Sequence, residues 1–107
     1  MDTVFEQIRK RDRDAYRSCF REHYNWLVRF AHGYVYDTAA SEDIVQEAFI
    51  YLWENAQKIE VNTSLPVCLL IMVKNRCLNY LKYLKFTDSL EILEFNAHLL
   101  IDPEERL

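Results

Sequence analysis

Ser41-Glu-Asp-Ile-Val-Gln-Glu-Ala-Phe-Ile-Tyr-Leu-Trp-Glu54 carries no glycine or proline, and its polar residues recur at helical spacing. At about 100° per residue, Asp43, Gln46, Glu47, Ile50 and Glu54 fall within one arc of roughly 100°. Ala48, Leu52, Tyr51 and Ile44 fall on the opposite side. The carboxylate-rich face holds Ile50 in its middle and Trp53 at its edge. Carboxylates on a helix are most often a solvated surface. Apolar groups among them shift the reading toward a face that another molecule covers.

Working outward, the rest of the chain is also helical in pattern. The 107 residues contain one glycine and two prolines, too few turn residues for a sheet protein. Thr3 to Arg9 reads as a short leading helix. A long helix follows from Arg11 or Asp12 to Tyr36, with Tyr16, Cys19, Phe20, Tyr24, Leu27, Phe30, Ala31 and Tyr34 three or four apart. Asp12 and Asp14 suit the positive end of its dipole. Asp37-Thr-Ala-Ala reads as a turn, and the second long helix as Ala39 to Lys58, with Ser41, Glu42 and Asp43 in its first turn. After the loop Glu60-Val-Asn-Thr-Ser64, Ser64 is a good N-cap, and Pro66 is tolerated in a first turn. A third long helix is expected to end near Lys85, with Thr87-Asp88-Ser89 breaking the pattern and one weak helix beyond. The expectation is an all-α fold: a compact bundle of three long helices, a short leading helix and an acidic C-terminal tail. Residues 1–86 would be the domain and 87–107 the tail.

The net charge of −4 is unevenly laid out. Ala39 to Lys58 holds four acids and one base; Ser64 to Lys85 holds four bases and no acid; Phe86 to Leu107 holds six acids and one base. An acidic chain with one purely basic helix can bind nucleic acid there and not over its whole surface. On that third helix, Asn75, Asn79 and Lys82 lie on one side at i, i+4 and i+7, with Arg76 and Tyr83 beside them. Val73, Cys77, Tyr80, Leu81 and Leu84 form its apolar side. Amides bond base edges, cations take phosphates, and tyrosine stacks on an unpaired base. The plainer reading, bases that suit a helix C-terminus, has equal weight on spacing alone.

Other classes find less support. Cys19, Cys68 and Cys77 form no C-x-x-C pair, so they read as free thiols of a reducing, cytoplasmic compartment and not as a disulfide framework or zinc site. His23, His32 and His98 are isolated, and no nucleophile pattern occurs. Glu42, Asp43 and Glu47 lack the Glu-x-x-His partners of a helical di-metal site. No enzyme, metal or cofactor is expected. The longest apolar run, Val67 to Val73, has seven residues where a bilayer needs about 20, and no signal peptide opens the chain, so no membrane insertion is expected.

Taken together, three segments resemble a known family. Ala40 to Glu54 is similar to the region 2 signature of bacterial sigma factors of the sigma-70 family, extracytoplasmic-function (ECF) type. Ala15-Tyr16, Phe20, Tyr24 and Leu27 match the first helix of that region. Val73-Lys-Asn-Arg-Cys-Leu-Asn-Tyr-Leu-Lys82 is similar to the promoter-melting helix, in a style found in Bacteroidetes. The resemblance covers residues 3 to 86. It implies a transcription initiation factor that docks on the clamp helices of the RNA polymerase β′ subunit through Asp43, Gln46, Glu47, Ile50 and Trp53. It further implies recognition and melting of the promoter −10 element, with capture of a non-template base. Lys58, Asn62 and Thr63 in the loop and Asn75, Arg76, Asn79 and Lys82 on the helix are the candidates. An anti-sigma protein would be a regulatory partner.

Three departures stand out. Val67-Cys68-Leu69 lacks the aromatic common there. Lys82 stands where arginine is common, which disfavours a bidentate phosphate contact. The chain stops at Leu107, where a complete member continues into a helix-turn-helix for the −35 element, so a domain fragment or natural truncation is expected. The competing reading is a helical interaction module, adaptor or dimer, without DNA binding; a tight dimer hiding Asn75, Asn79 and Lys82 would favour it.

Overall fold

The α1–α2 and α2–α3 connections are short because the helix ends there are capped locally. The computed structural model describes residues 3–60 and 64–100, and side chains as far as Asn96. In chain order the helices are α1 (Thr3–Arg9), α2 (Arg13–Val35), α3 (Thr38–Asn55) and α4 (Leu65–Leu100). Among the described residues there is no strand.

At the α1–α2 junction Arg11 adopts a left-handed backbone, φ 68°. Its N–H donates to the Ile8 carbonyl, and the Asp12 N–H donates to the Gln7 carbonyl. These two bonds close α1 in the manner of a Schellman motif. The Asp12 carboxylate then accepts from the Asp14 and Ala15 N–H groups at 3.0 and 3.1 Å, capping α2. One chain reversal is thus specified by three residues.

The α2–α3 junction is as tight. Tyr36, φ 54°, donates its N–H to the His32 carbonyl and ends α2. Asp37 follows as the N-cap of α3, its carboxylate accepting from Ala40 N–H at 2.9 Å. The expected turn Asp37-Thr-Ala-Ala therefore shrinks: Thr38 to Ala40 are helical. Ser41 is not part of an exposed acidic first turn either. It is fully buried, and its hydroxyl donates to the Asp37 carbonyl at 2.6 Å. Asp37 takes the capping role, so the helix starts at Thr38, one residue before the expected Ala39, and Ser41 already lies past its first three residues.

Tyr36 offers a test of this junction. A non-glycine residue in the left-handed region costs roughly 1–2 kcal/mol. Glycine removes that cost but brings its own entropy cost of roughly 0.5–1 kcal/mol. The Tyr36 side chain is 80% exposed and so has little packing to lose. Tyr36→Gly is expected to raise stability by up to about 1 kcal/mol, read as a higher urea midpoint at unchanged slope. A lower midpoint would mean that the edge contact of Tyr36 with His32 outweighs backbone strain.

The core is built from one stripe of each helix. Phe5 and Ile8 come from α1, Cys19, Leu27, Ala31 and Val35 from α2, Ile44, Val45, Ala48, Phe49 and Leu52 from α3, and Leu65, Leu69, Val73 and Cys77 from α4. Each large side chain buried this way contributes roughly 1.5–3 kcal/mol. Tyr51, grouped with Ile44, Ala48 and Leu52 by spacing, is exposed while those three are buried. It lies about 90° around α3 from the mean direction of the five buried residues, so Val45 and Phe49 take the inward places. Arg9 fastens α1 to the segment after α3, donating to the carbonyls of Ala56 and Ile59, while Gln57 donates back to the Arg9 carbonyl.

The largest departure from expectation is α4. It runs without a break through Thr87-Asp88-Ser89, and the Ser89 hydroxyl donates to the Lys85 carbonyl one turn back. These three residues are modest helix formers, each costing less than about 1 kcal/mol against alanine, and no glycine or proline lies among them. Leu84, assigned to the apolar side, is exposed because the helix has left the body by that point. Residues 87–100 of the expected tail are thus the end of α4, and the molecule is elongated at 71 × 25 × 22 Å instead of a compact bundle.

Candidate protein and nucleic-acid interface

Two exposed faces meet at one groove. The packing of α3 through Ile44, Ala48 and Leu52 turns Asp43, Gln46, Glu47 and Ile50 outward, and all four are exposed. Ile50 is 55% exposed although its neighbours Phe49 and Leu52 are buried. Asp43 and Glu47 form no ion pair with any described residue. Gln46 is oriented by α2, its Nε2 donating to the Tyr24 hydroxyl at 3.2 Å. The other wall belongs to α4: Arg76, Asn79, Tyr80 and Tyr83 line the same open groove as Asp43 and Glu47. The acidic face and the basic helix, read as separate in sequence, are adjacent in space.

Trp53 differs from the rest of the acidic face. It is half-buried, its ring lies 4.9 Å from that of Tyr16, and the Arg11 guanidinium stacks on it at 4.5 Å. Arg11 also donates to the Trp53 carbonyl. The left-handed turn at Arg11 thus places a cation over this indole. Any partner contact by Trp53 is limited to what Arg11 leaves open.

On α4, Asn75, Asn79 and Lys82 are all exposed, on the side away from buried Val73 and Cys77. Arg76 is not in that row. It is half-buried, its guanidinium 4.9 Å over the Tyr51 ring, with Nη1 donating to the Met72 carbonyl at 3.4 Å. The exposed Tyr51 is therefore a platform for Arg76, a role that its spacing on α3 alone does not reveal. Lys58 is exposed in the turn after α3 that Arg9 ties down. Asn75 and Lys82 stand roughly 15 and 26 Å along α4 from Leu65 by helical rise, so Lys58 and the helix residues are not one cluster. Asn62 and Thr63 lie outside the described residues.

Beneath the acidic helix, Tyr16 donates its hydroxyl to the Phe49 carbonyl at 2.7 Å. Burial pushes the Tyr16 hydroxyl up to about 12, and neighbouring Cys19 adds to the shift. A raised folded-state value means that the neutral form is favoured in the fold. Its contribution is complete below the unfolded value near 10 and is lost as pH rises toward 12. Stability is expected to decline across that window, and more steeply than in Tyr16→Phe; parallel pH profiles would show that Tyr16 is not responsible. Burial likewise raises the thiols of Cys68 and Cys77, which keeps them in the unreactive protonated form. Among the described residues no group of His, Cys, Asp and Glu is arranged to hold a metal ion, and no helix is long and apolar enough to cross a membrane.

A family model described as sigma-70 region 2 matches residues 19–87. The chain belongs to the sigma-70 region 2 family. The match takes in most of α2, all of α3 and α4 as far as Thr87, so both walls of the groove lie inside it. Neither the curated proteins nor the solved structures gave a match. Sigma-70 region 2 belongs to a non-enzymatic class of transcription initiation factors that act with RNA polymerase core and promoter DNA.

Proposed function

We propose that this chain is the region 2 domain of an ECF-type sigma factor, Bacteroidetes-like in its α4 sequence, working in the cytoplasm. Its α3 face docks on the β′ clamp helices, and its α4 face recognises and melts the −10 element. The observation that carries this reading is the pairing of an unneutralised acidic face around exposed Ile50 with an exposed Asn75–Asn79–Lys82 row, both inside the sigma-70 region 2 match. Asp43 and Glu47 offer carboxylates to a basic partner, and Ile50 offers apolar area beside them. Trp53 adds its free edge. A melted strand presents stackable base faces and Watson–Crick edges, which suit Asn75 and Asn79, while Lys82 takes a phosphate.

Arg76 waits on Tyr51 and would exchange a ring for a phosphate. Lys58, Asn62 and Thr63 would meet the strand farther along, toward the start of α4. On this reading residues 1–86 are the working domain and 87–107 a linker toward a −35-reading domain. An anti-sigma protein would compete for the same surfaces.

The test uses the whole chain. It is expected to be retained on an immobilised β′ clamp-helix fragment; no retention counts against the docking assignment. With polymerase core present, Asn79→Ala with Lys82→Ala is expected to weaken capture of a single-stranded −10 oligonucleotide by roughly tenfold or more and to lower the salt slope by about 0.7 to 1. Retention on the clamp fragment should not change. Unaltered capture and slope would remove α4 from the DNA assignment.

A further inference from the structure

The carbonyls that end α3 are satisfied from the start of the chain. A helix leaves its last carbonyls without intrahelical partners, and cations favour that end of its dipole. Arg11 donates to the Trp53 carbonyl, and Arg9 donates through Nε to Ala56 at 3.2 Å and through Nη2 to Ile59. Between these contacts the Asn55 carbonyl accepts from the Lys58 and Ile59 N–H groups, at 2.9 and 3.1 Å. Arg9 is held in turn. Its Nη1 donates to Glu6 Oε1 at 2.9 Å, its guanidinium lies 4.6 Å over the Phe5 ring, and Gln57 donates to its carbonyl. Phe5 and Ile8 are buried in the core, so α1 is a fixed base for this arm.

The two carbonyls that Arg9 takes bracket Lys58 in sequence. Lys58 is exposed and forms no ion pair with any described residue. A lysine is a point charge on a flexible stem, so what the fold can set is the place of its backbone. Arg9 sets it with a planar fork whose donors leave in fixed directions, which an ammonium does not reproduce. Arg9 and Arg11 both precede the stretch 19–87 that the family model matches, so this brace is no part of that match.

We propose that Arg9 is a positioning residue for Lys58: it fixes the turn after α3 so that Lys58 meets a backbone phosphate of the melted strand. Arg9 itself touches no DNA. The brace stands on the geometry alone, whereas the phosphate contact of Lys58 rests on the proposed function.

The test combines amide exchange with DNA capture, both on the whole chain. Arg9→Gln is expected to speed exchange at the Lys58 and Ile59 amides by roughly tenfold or more, with Phe49 in the middle of α3 unchanged. With polymerase core present, it should weaken capture of a single-stranded −10 oligonucleotide by roughly three- to tenfold and lower the salt slope by about 0.7, as Lys58→Ala does. In the Lys58→Ala chain, Arg9→Gln should cost nothing further. A loss of equal size in both chains is general destabilisation and overturns the positioning role. Arg9→Lys keeps the charge and loses the fork, so it should stay defective; full recovery overturns the positioning role and leaves charge alone. Arg29→Gln, at an exposed place on α2, makes the same charge change and should leave capture unaltered, and an equal loss there also overturns it. If Arg9→Gln melts α1, Glu6→Gln removes only the carboxylate beside Nη1 and should give the same effects at smaller size. Unchanged exchange at Lys58 and Ile59 in both variants overturns the brace. Faster exchange in Arg9→Gln, with Lys58→Ala capturing DNA as well as wild type, overturns the Lys58 assignment and leaves the brace standing.

Discussion

Phe49→Ala is expected to remove a large share of the stability of the domain, roughly 3–5 kcal/mol. Phe49 is 1% exposed at the centre of α3. Its ring meets Phe20 at 4.8 Å and the edge of Tyr16 at 6.4 Å. Truncating a buried phenylalanine costs roughly 3–5 kcal/mol, from lost transfer energy and from the cavity left behind. A domain of this size has about 5–15 kcal/mol in total. The surrounding rings are held by other contacts, Tyr16 by its hydrogen bond and by Trp53, Phe20 by stacking on Tyr24, so the cavity has little freedom to collapse. Thermal or urea unfolding would measure the loss. Phe49→Leu keeps most of the volume and should cost less than about 1.5 kcal/mol. Equal effects of the two changes would mean that ring packing at this place contributes little.

The second large effect concerns binding. Glu47→Lys is expected to weaken retention on the β′ clamp-helix fragment by roughly 10- to 100-fold, because it removes an attraction and introduces a like charge beside a basic partner. Glu47 is exposed and forms no ion pair with any described residue, so unfolding should shift by no more than about 0.5 kcal/mol. Glu22→Lys on α2 makes the same change in net charge away from the face and serves as the comparison. Similar losses for both would point to bulk charge and away from a specific acidic face. No loss for Glu47→Lys would end the docking assignment. Glu47→Gln should fall between wild type and Glu47→Lys, since it removes the attraction alone.

Much of the fold was legible because it depends on local chemistry. The acidic start of α2, the helix stripes and the core positions of Leu27, Ile44, Leu52, Val73 and Cys77 follow from dipole chemistry and periodicity, though Asp12 proves to be the cap itself. Where two local signals competed, reading failed. Asp37 reads as part of a turn and Ser41 as part of an acidic first turn, and the packed helix instead makes Asp37 the N-cap and buries Ser41. Thr87-Asp88-Ser89 looked like a stop because each residue is a modest helix former, but continuation costs little when no breaker is present. The site was legible in composition and not in arrangement. Spacing placed Asp43 and Glu47 together, and Asn75 with Asn79 and Lys82. It could not supply the rotation of α3 against α4, and that rotation creates the shared groove, the Tyr51–Arg76 stack and the Arg11–Trp53 contact.

The unbroken course of α4 makes it a lever. Its fulcrum is the packed stretch from Leu65 to Leu81, and its free arm from Leu81 to Asn96 is about 22 Å long by helical rise. A tilt of about 5° at the fulcrum would move the far end by roughly 2 Å, several times the shift at the core itself. Small repacking around Val73 or Cys77 is therefore magnified with distance along the arm. The direction in which α4 points away from the body is thus set by buried side chains such as Val73 and Cys77.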